Sequence, residues 1–433
     1  MAVRRAVVLG AYGLIGSACL RALQASGFEV VGVGRSRAAG LRADPEVAWV
    51  GLDVARAGAK DRRAILDGAD VVVNAAGALQ DGARDQLAGI HEDAVAGVVE
   101  ALRGTRARVV QISAAGASEG ASTEFLRSKA RGDARLMRSD LDWVILRPTL
   151  VIGPQGYGGT ALLRAAAAVP LVFARVLPHS PVQTVSVDDV AQAVLRAARG
   201  ELPSRVTFDL TETGTRSLAE TIVAFRRWQG FPPWRLGVAV PQPLLRSLAK
   251  AADALGWFGW RSPLRTTALR TLEDGVTGDP SAWLAAGGAP CRSLEDTLAR
   301  LPSTAQERWF ARMYLLLPVV IGTLSLFWAL SGLIGLAQRE AAEAVLTGRG
   351  LRPSLAALAV AGGSAVDLTL GLAVLWRPWA RAACLAMVAV SLSYLAGATL
   401  LAADLWADPL GPLVKVLPAV ILALVGAALL DER

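Results

Sequence analysis

Three glycines, at positions 10, 13 and 16, follow an apolar run, Ala6-Val-Val-Leu9, near the start of the chain. A strand that ends this way suits one chemistry, the holding of phosphate by main-chain N–H groups. Gly10 lets the chain leave the strand in a tight turn, and Gly13 lets backbone approach a pyrophosphate. Gly16 lets the following helix pack closely on the sheet. That helix's N-terminus then offers unpaired N–H groups and a partial positive charge. Tyr12, Leu14 and Ile15 belong to the same turn and are candidate dinucleotide contacts with it.

A second strand, read over 29–37, ends in Arg35, Ser36 and Arg37. An acidic residue at this point would hold a ribose 2′-hydroxyl, whereas arginine accommodates a 2′-phosphate. The expected cofactor is therefore NADP(H), with NAD(H) the other option and solvated loop charges the plainer account of the arginines. A third strand, 47–50, leads to Leu52 and Asp53, where an aspartate can meet an adenine. The fourth, 70–77, ends in Ala75, Ala76 and Gly77, whose small size lets a cofactor pass close to backbone. The fifth, 108–113, ends at Ser113, and the sixth, 142–148, ends in Arg147-Pro148 before Thr149. Strands alternating with helical stretches imply an α/β fold with a doubly wound parallel sheet, its ligand lying across the carboxyl ends of the strands.

Taken in order, the glycine turn, Asn74-Ala-Ala-Gly77, Ser113, Ser128-Lys129, Leu146-Arg-Pro-Thr149 and Val185-Ser-Val-Asp-Asp-Val190 form a recognisable set. The set resembles the atypical, extended short-chain dehydrogenases/reductases, and within them the subgroup of the NADPH-binding accessory subunit of respiratory complex I. The resemblance covers about residues 1 to 300. It implies a Rossmann domain over 1–200 and a smaller substrate-side lobe over 201–302. It also implies a Tyr-x-x-x-Lys site in which the phenol is the general acid or base. Here the stretch reads Thr123-Glu-Phe-Leu-Arg-Ser-Lys129, so Phe125 stands at the tyrosine position and carries no exchangeable proton. Ser113 and Lys129 remain as the candidate catalytic residues, each also explained as a cofactor contact, as is Pro148. Tyr157 and His179 are the substitutes within this region, with packing or loop roles as the alternative. Asp188 and Asp189, before a helix, are expected to cap it.

Composition sets the wider frame. Of 433 residues 53% are hydrophobic, and the mean hydropathy of +0.42 exceeds that of an ordinary soluble enzyme. Of the net +8 charge, +7 lies before residue 306, with no basic run or interleaved aromatics, which argues against nucleic acid as a partner. Cys19, Cys291 and Cys384 are too scattered for a disulfide framework, and two histidines, His91 and His179, exclude a histidine-rich metal centre; no metal site is expected. The glycines interrupt the apolar start, so a leader peptide explains these residues less well than a strand and turn.

The apolar excess lies at the C-terminal end. Residues 313–337, 354–376, 382–403 and 410–430 hold at most one charge each, and about 20 apolar residues suffice to cross a bilayer. Four transmembrane helices are therefore expected over 310–432, forming a bundle, with 303–309 as a linker and 338–353 as a loop that can hold a short amphipathic helix. Asp367-Leu-Thr-Leu-Gly-Leu is similar to the second span of the DoxX-like membrane domains. Asp367 suits either a proton or quinone contact or a hydrogen bond from a neighbouring Ser or Thr. Arg300, Arg308, Arg312, Arg377, Arg381 and Arg433 fall on one side, against Arg339, Arg349, Arg352 and Lys415. With the cofactor's location, this bias favours a multi-pass protein of the inner (cytoplasmic) membrane whose Rossmann domain faces the cytoplasm. Two functions fit: a membrane-anchored oxidoreductase acting on a lipid- or quinone-like substrate, or a non-catalytic NADPH-binding assembly factor of a respiratory membrane complex.

Overall fold

A computed structural model describes residues 3–82, 86–260, 262, 264–409 and 411–430. Valine-rich runs form the strands β1 (Arg5–Leu9), β2 (Glu29–Gly34), β3 (Ala48–Gly51), β4 (Val71–Asn74), β5 (Arg108–Ile112) and β6 (Asp142–Pro148). A further strand, β7 (Val206–Leu210), pairs with β6, from Val206 opposite Val144 to Leu210 opposite Pro148. Among the described residues these seven make one parallel sheet in the order β7-β6-β5-β4-β1-β2-β3.

The period of two along a strand sorts side chains into two layers. Ala6 and Val8 of β1 pack with α1 (Leu14–Ala25), whose Cys19, Leu20 and Leu23 are fully or almost fully buried. After α1 the chain forms α2 (Arg37–Ala43), α3 (Ala59–Leu66), α4 (Ala94–Ala101) and α5 (Glu124–Met137). Val7 and Leu9 point to the other face, with Val95 and Val98 of α4 and Leu136 of α5. Then follow α6 (Gly159–Ala168) and α7 (Val187–Arg199), the latter beside α1. Each such valine or leucine contributes about 1.5–3 kcal/mol by burial. Strand order reverses between β1 and β4, and this is the point at which open α/β sheets leave a crevice for a ligand.

The expected division at residue 200 does not coincide with a structural one. β7 lies beyond it, yet belongs to the sheet, because its register on β6 satisfies an otherwise open edge. The smaller core draws from both sides of residue 200: Ile152, Leu163 and Val182 pack with Ile222, Phe225 and Leu294. By contacts the chain divides into Met1–Gly256 with Ser262–Ala311, and Trp257–Arg261 with Arg312–Arg433.

Towards the C-terminus, three helices among the described residues are long and apolar enough to cross a membrane: Ala305–Ala337, Pro353–Ala373 and Arg377–Leu401. At 1.5 Å per residue they run about 50, 32 and 38 Å, against a hydrocarbon core of about 30 Å. The first begins at Ala305, so most of the expected linker is helical. Of the fourth expected span, Val416–Leu429 is helical, 14 residues and about 21 Å long, short of a full crossing. A turn with Gly411 at φ +58° occupies the residues before it. Leu410, the first residue of that span, and Arg433 lie outside the described residues. The 338–353 loop holds the short helix Arg339–Gly348. Asp367 accepts hydrogen bonds from Ser331 Oγ (2.8 Å) and Tyr394 Oη (2.9 Å), each from a neighbouring helix.

Candidate functional site

The glycine turn is built by its own close contacts. Gly10 has φ +72°, and a Cβ there would lie 2.8 Å from the Ala76 backbone. At Gly16 a Cβ would lie 2.2 Å from the Gly10 carbonyl oxygen. The N–H groups of Gly10 and Ala11 both donate to Val33 O, at 2.9 and 3.1 Å, tying the turn to β2. Gly13 is the N-cap of α1 and supplies no side-chain cap, so the first N–H groups of α1, at Leu14 and Ile15, are left for an anion. These features fit a dinucleotide pyrophosphate.

Other predicted contacts fall around the same edge. Arg35, Ser36 and Arg37 are exposed after β2. Ser36 caps α2, accepting from Ala39 N at 3.2 Å, and Arg37 opens that helix, so the strand ends at Gly34 and not at residue 37. Tyr12 lies against Gly34, where a Cβ would fall 2.3 Å from the ring, and 6.3 Å from the Trp49 ring. Its ring is thus a packing element of the β2 exit. Leu52 N donates to Gly34 O, and Asp53 accepts from Ala55 N in a local turn. Ala75 is tied to Leu9 O at 3.0 Å, Ala76 N to Asn74 Oδ1 at 3.3 Å, and Pro148 O accepts from Ala115 N at 3.0 Å.

The residues after β4 and β5 meet α5. Lys129 is buried and donates from Nζ to Ile112 O at 2.9 Å. A Cβ added to Gly77 would lie 3.4 Å from that nitrogen, so the exposed Gly77 leaves the lysine its room. Burial lowers the Lys129 pKa to about 8, with Asp133 acting in the opposite direction. Ser113 donates from Oγ to Asp133 Oδ2 at 2.7 Å, and Arg147 donates to the same oxygen from Nη2 at 2.9 Å. Burial outweighs these partners and raises the Asp133 pKa. Its other oxygen, Oδ1, is buried with no hydrogen-bond partner among the described residues.

His91 joins this group from a π-helical turn, Gly89–Asp93, ahead of α4. Its Nε2 accepts from Ala78 N at 3.2 Å, which leaves the proton on Nδ1 to donate to Ser128 Oγ at 2.8 Å. Burial, with the charge of Lys129, lowers the His91 pKa to about 2, so the ring is neutral. The Phe125 ring meets it edge-on with centroids 5.8 Å apart. Beside the β5 exit lies a cavity of about 280 Å³, lined by Ala115, Gly116, Leu126, Thr271 and Val276 among others.

Sequence reasoning had not assigned a role to His91, Asp133 or Arg147. One signal was present, since Asp133 follows Lys129 by four residues on one helix face. Tyr157 and His179 are both exposed and stand apart from this hydrogen-bonded group. Ser186, not the aspartate pair, caps α7, accepting from Asp188 N at 3.3 Å. Asp189 instead pairs with Arg292 at 2.6 Å.

Comparison with known proteins agrees with this geometry. A family described as NAD(P)H-binding matches residues 10–200, and the DoxX-like family matches residues 325–424. One chain thus carries a segment similar to NAD(P)H-binding domains and, after it, a segment similar to DoxX-like domains. A protein named ceramide reductase, from Caulobacter vibrioides (strain NA1000 / CB15N), is 28% identical over 193 residues, which are 44% of this chain and 60% of that one. The chain thus spans about 60% of that relative's length. Among solved structures, the UDP-glucose 4-epimerase of Thermotoga maritima superposes with a TM-score of 0.53 at 15% identity, covering 72% of this chain and 99% of that one. The Bordetella bronchiseptica enzyme WbmH, solved with NAD+, gives 0.53 at 18% identity, with 71% and 99% covered. At such identities these two establish the fold.

Proposed function

We propose that this chain is a membrane-anchored, NADP(H)-dependent reductase acting on the carbonyl of a lipid-like substrate, with Lys129 as the proton donor. The observation that carries the reading is the position of Lys129, a buried ammonium between Ile112 O and Gly77 on the carboxyl edge that carries the glycine turn. A reduced nicotinamide held at this edge would supply a hydride to the substrate carbonyl carbon. Lys129 Nζ would give a proton to the carbonyl oxygen and be reprotonated from solvent. Ser113 gives its own proton to Asp133, so it acts by holding Asp133 and Arg147. Gly10, Gly13, Gly16 and the α1 N-terminus hold the pyrophosphate, and Arg35 with Arg37 reads the 2′-phosphate. Leu52, Asp53 and Ala75 to Gly77 border the rest of the cofactor.

The lipid class rests on the apolar helices of the same chain and on the name of the Caulobacter relative. A membrane-soluble quinone is the second substrate class. The need for NADPH favours an inner-membrane protein with the nucleotide domain on the cytoplasmic side. Phe125 favours a second reading, a non-catalytic NADP(H)-binding assembly factor of a respiratory membrane complex. Single-turnover NADPH oxidation by the purified full chain separates the two, using a ketone-bearing ceramide-like lipid and a short-chain quinone in turn. Oxidation with the lipid, lost in Lys129→Met while NADPH still binds, supports the reductase. NADPH binding without oxidation in either mixture overturns it in favour of the assembly factor.

A further inference from the structure

The helix Gln242–Trp257 has two apolar stripes and needs only one of them for its own fold. Leu245, Ala249, Ala252 and Gly256 are buried, and Leu245 and Ala249 pack with Leu269. One residue earlier at each turn, Leu244, Leu248, Ala251 and Leu255 form a second stripe that is open to solvent. The three leucines are 50%, 45% and 45% exposed. The short parallel pair that precedes the helix, Val172–Arg175 with Leu236–Ala239, also leaves Leu236 and Val238 exposed. Isolated exposed leucines are common, but a continuous helical stripe of them needs a partner.

The polar side of the helix is basic. Arg246 and Lys250 are exposed, Arg246 at 3.9 Å from Glu273, and the helix's aspartate, Asp253, is occupied by Arg265 (3.1 Å) and Thr266 (2.7 Å). Leucines on one side with lysine and arginine on another are the composition of a helix that lies in a membrane interface. The chain also leads there. The helix ends at Trp257, which is 70% exposed, and a turn carries the chain on to Phe258 and Trp260. Within the C-terminal unit Phe258 O accepts from Arg377 N at 3.0 Å, and Trp260 Nε1 donates to Leu375 O at 2.6 Å. Arg377 opens an apolar helix, and Trp376 and Trp379 are exposed beside it, as aromatic residues are at the headgroup level.

We infer that the Leu244, Leu248 and Leu255 face of this helix is a lipid-contact surface, seated at the boundary between headgroups and acyl chains. The surface is separate from the three candidate spans and from the cofactor crevice. It stands whether or not the chain is a reductase.

The test uses full-length protein in phospholipid vesicles, in a Cys291→Ala background because Cys19 and Cys384 are buried. An environment-sensitive fluorophore is placed on Leu248→Cys or Leu255→Cys, with Lys60→Cys on α3 as the exposed control. Loss of most of the emission at 248 and 255 to lipid-borne nitroxide, with little loss to aqueous iodide and the reverse at 60, supports the inference. Quenching at 248 and 255 by iodide alone overturns it, because the face is then in water. Protection from both quenchers also overturns it, because the face is then covered by protein, and cross-linking at 248 reports whether that protein is a second copy.

Discussion

The His91 imidazole and the Ser128 hydroxyl lie 2.8 Å apart in a part of the protein from which water is excluded, with the opposite ring nitrogen taken by the Ala78 N–H. A protonated ring would lose the Ala78 bond and place a second positive charge near Lys129. The folded-state pKa of about 2 lies below the ordinary 6.5, so between these values the unfolded chain binds more protons than the native one. The stability from neutral His91 is thus complete above pH 6.5 and is lost progressively as pH falls towards 2. The expected slope from this group is about 1.4 kcal/mol per pH unit. Thermal unfolding of the detergent-solubilised protein from pH 7 to pH 4 should show it, and His91→Gln, which does not titrate, should flatten the curve. Equal slopes in the two proteins would count against a buried neutral imidazole.

Lys129 predicts a basic limb in catalysis. Its pKa is lowered to about 8, so the ammonium that donates the proton is depleted as pH rises through that value. Turnover should fall about tenfold per pH unit above 8 while NADPH affinity changes less. A flat profile from pH 7 to 10 would remove Lys129 from the acid role.

Phe125→Tyr restores a phenol beside His91 and one turn before Lys129. With an ordinary phenol pKa of about 10, the variant should turn over faster and its basic limb should move upward. Turnover appearing only in the variant, with none in the natural protein, would instead support the assembly-factor reading.

Arg35 predicts cofactor choice. Arg35→Asp should weaken NADPH binding by about tenfold, equivalent to about 1.4 kcal/mol, and leave NADH binding unchanged. Isothermal titration of both cofactors is sufficient. Equal affinity for the two in the natural protein would end the argument for the 2′-phosphate.

The apolar helices predict tight membrane attachment. Carbonate at high pH and concentrated salt should each leave the protein in the membrane pellet. Its release by either wash would mean that the three long helices form a water-soluble bundle.

Local chemistry explains what the sequence disclosed. Consecutive valines announce a strand, and glycines at 10, 13 and 16 announce the turn after it, because both effects act over a few residues. The first six strands appear where their composition places them, with the second and fourth ending earlier, at Gly34 and Asn74. β7 escaped notice because Val206–Leu210 is defined by its pairing with β6, some 60 residues earlier. The Ser113–Asp133–Arg147 group was hidden for the same reason, since three elements must be in place before their side chains meet. His91 sits on a π turn, for which no spacing rule exists. The last apolar stretch satisfied the composition of a span, but its helix starts only at Val416.

Gly13 leaves α1 without a side-chain cap, and this sets a trap for anyone engineering the protein for heat resistance. A serine or aspartate in place of an N-cap glycine adds roughly a few tenths of a kcal/mol, so a search for unfilled caps would still select position 13. The new oxygen would accept from the same N–H groups that await the pyrophosphate, and an aspartate would also repel it. Such a variant would melt later and bind its nucleotide worse. Thermal tolerance and cofactor occupancy compete here for one set of hydrogen-bond donors.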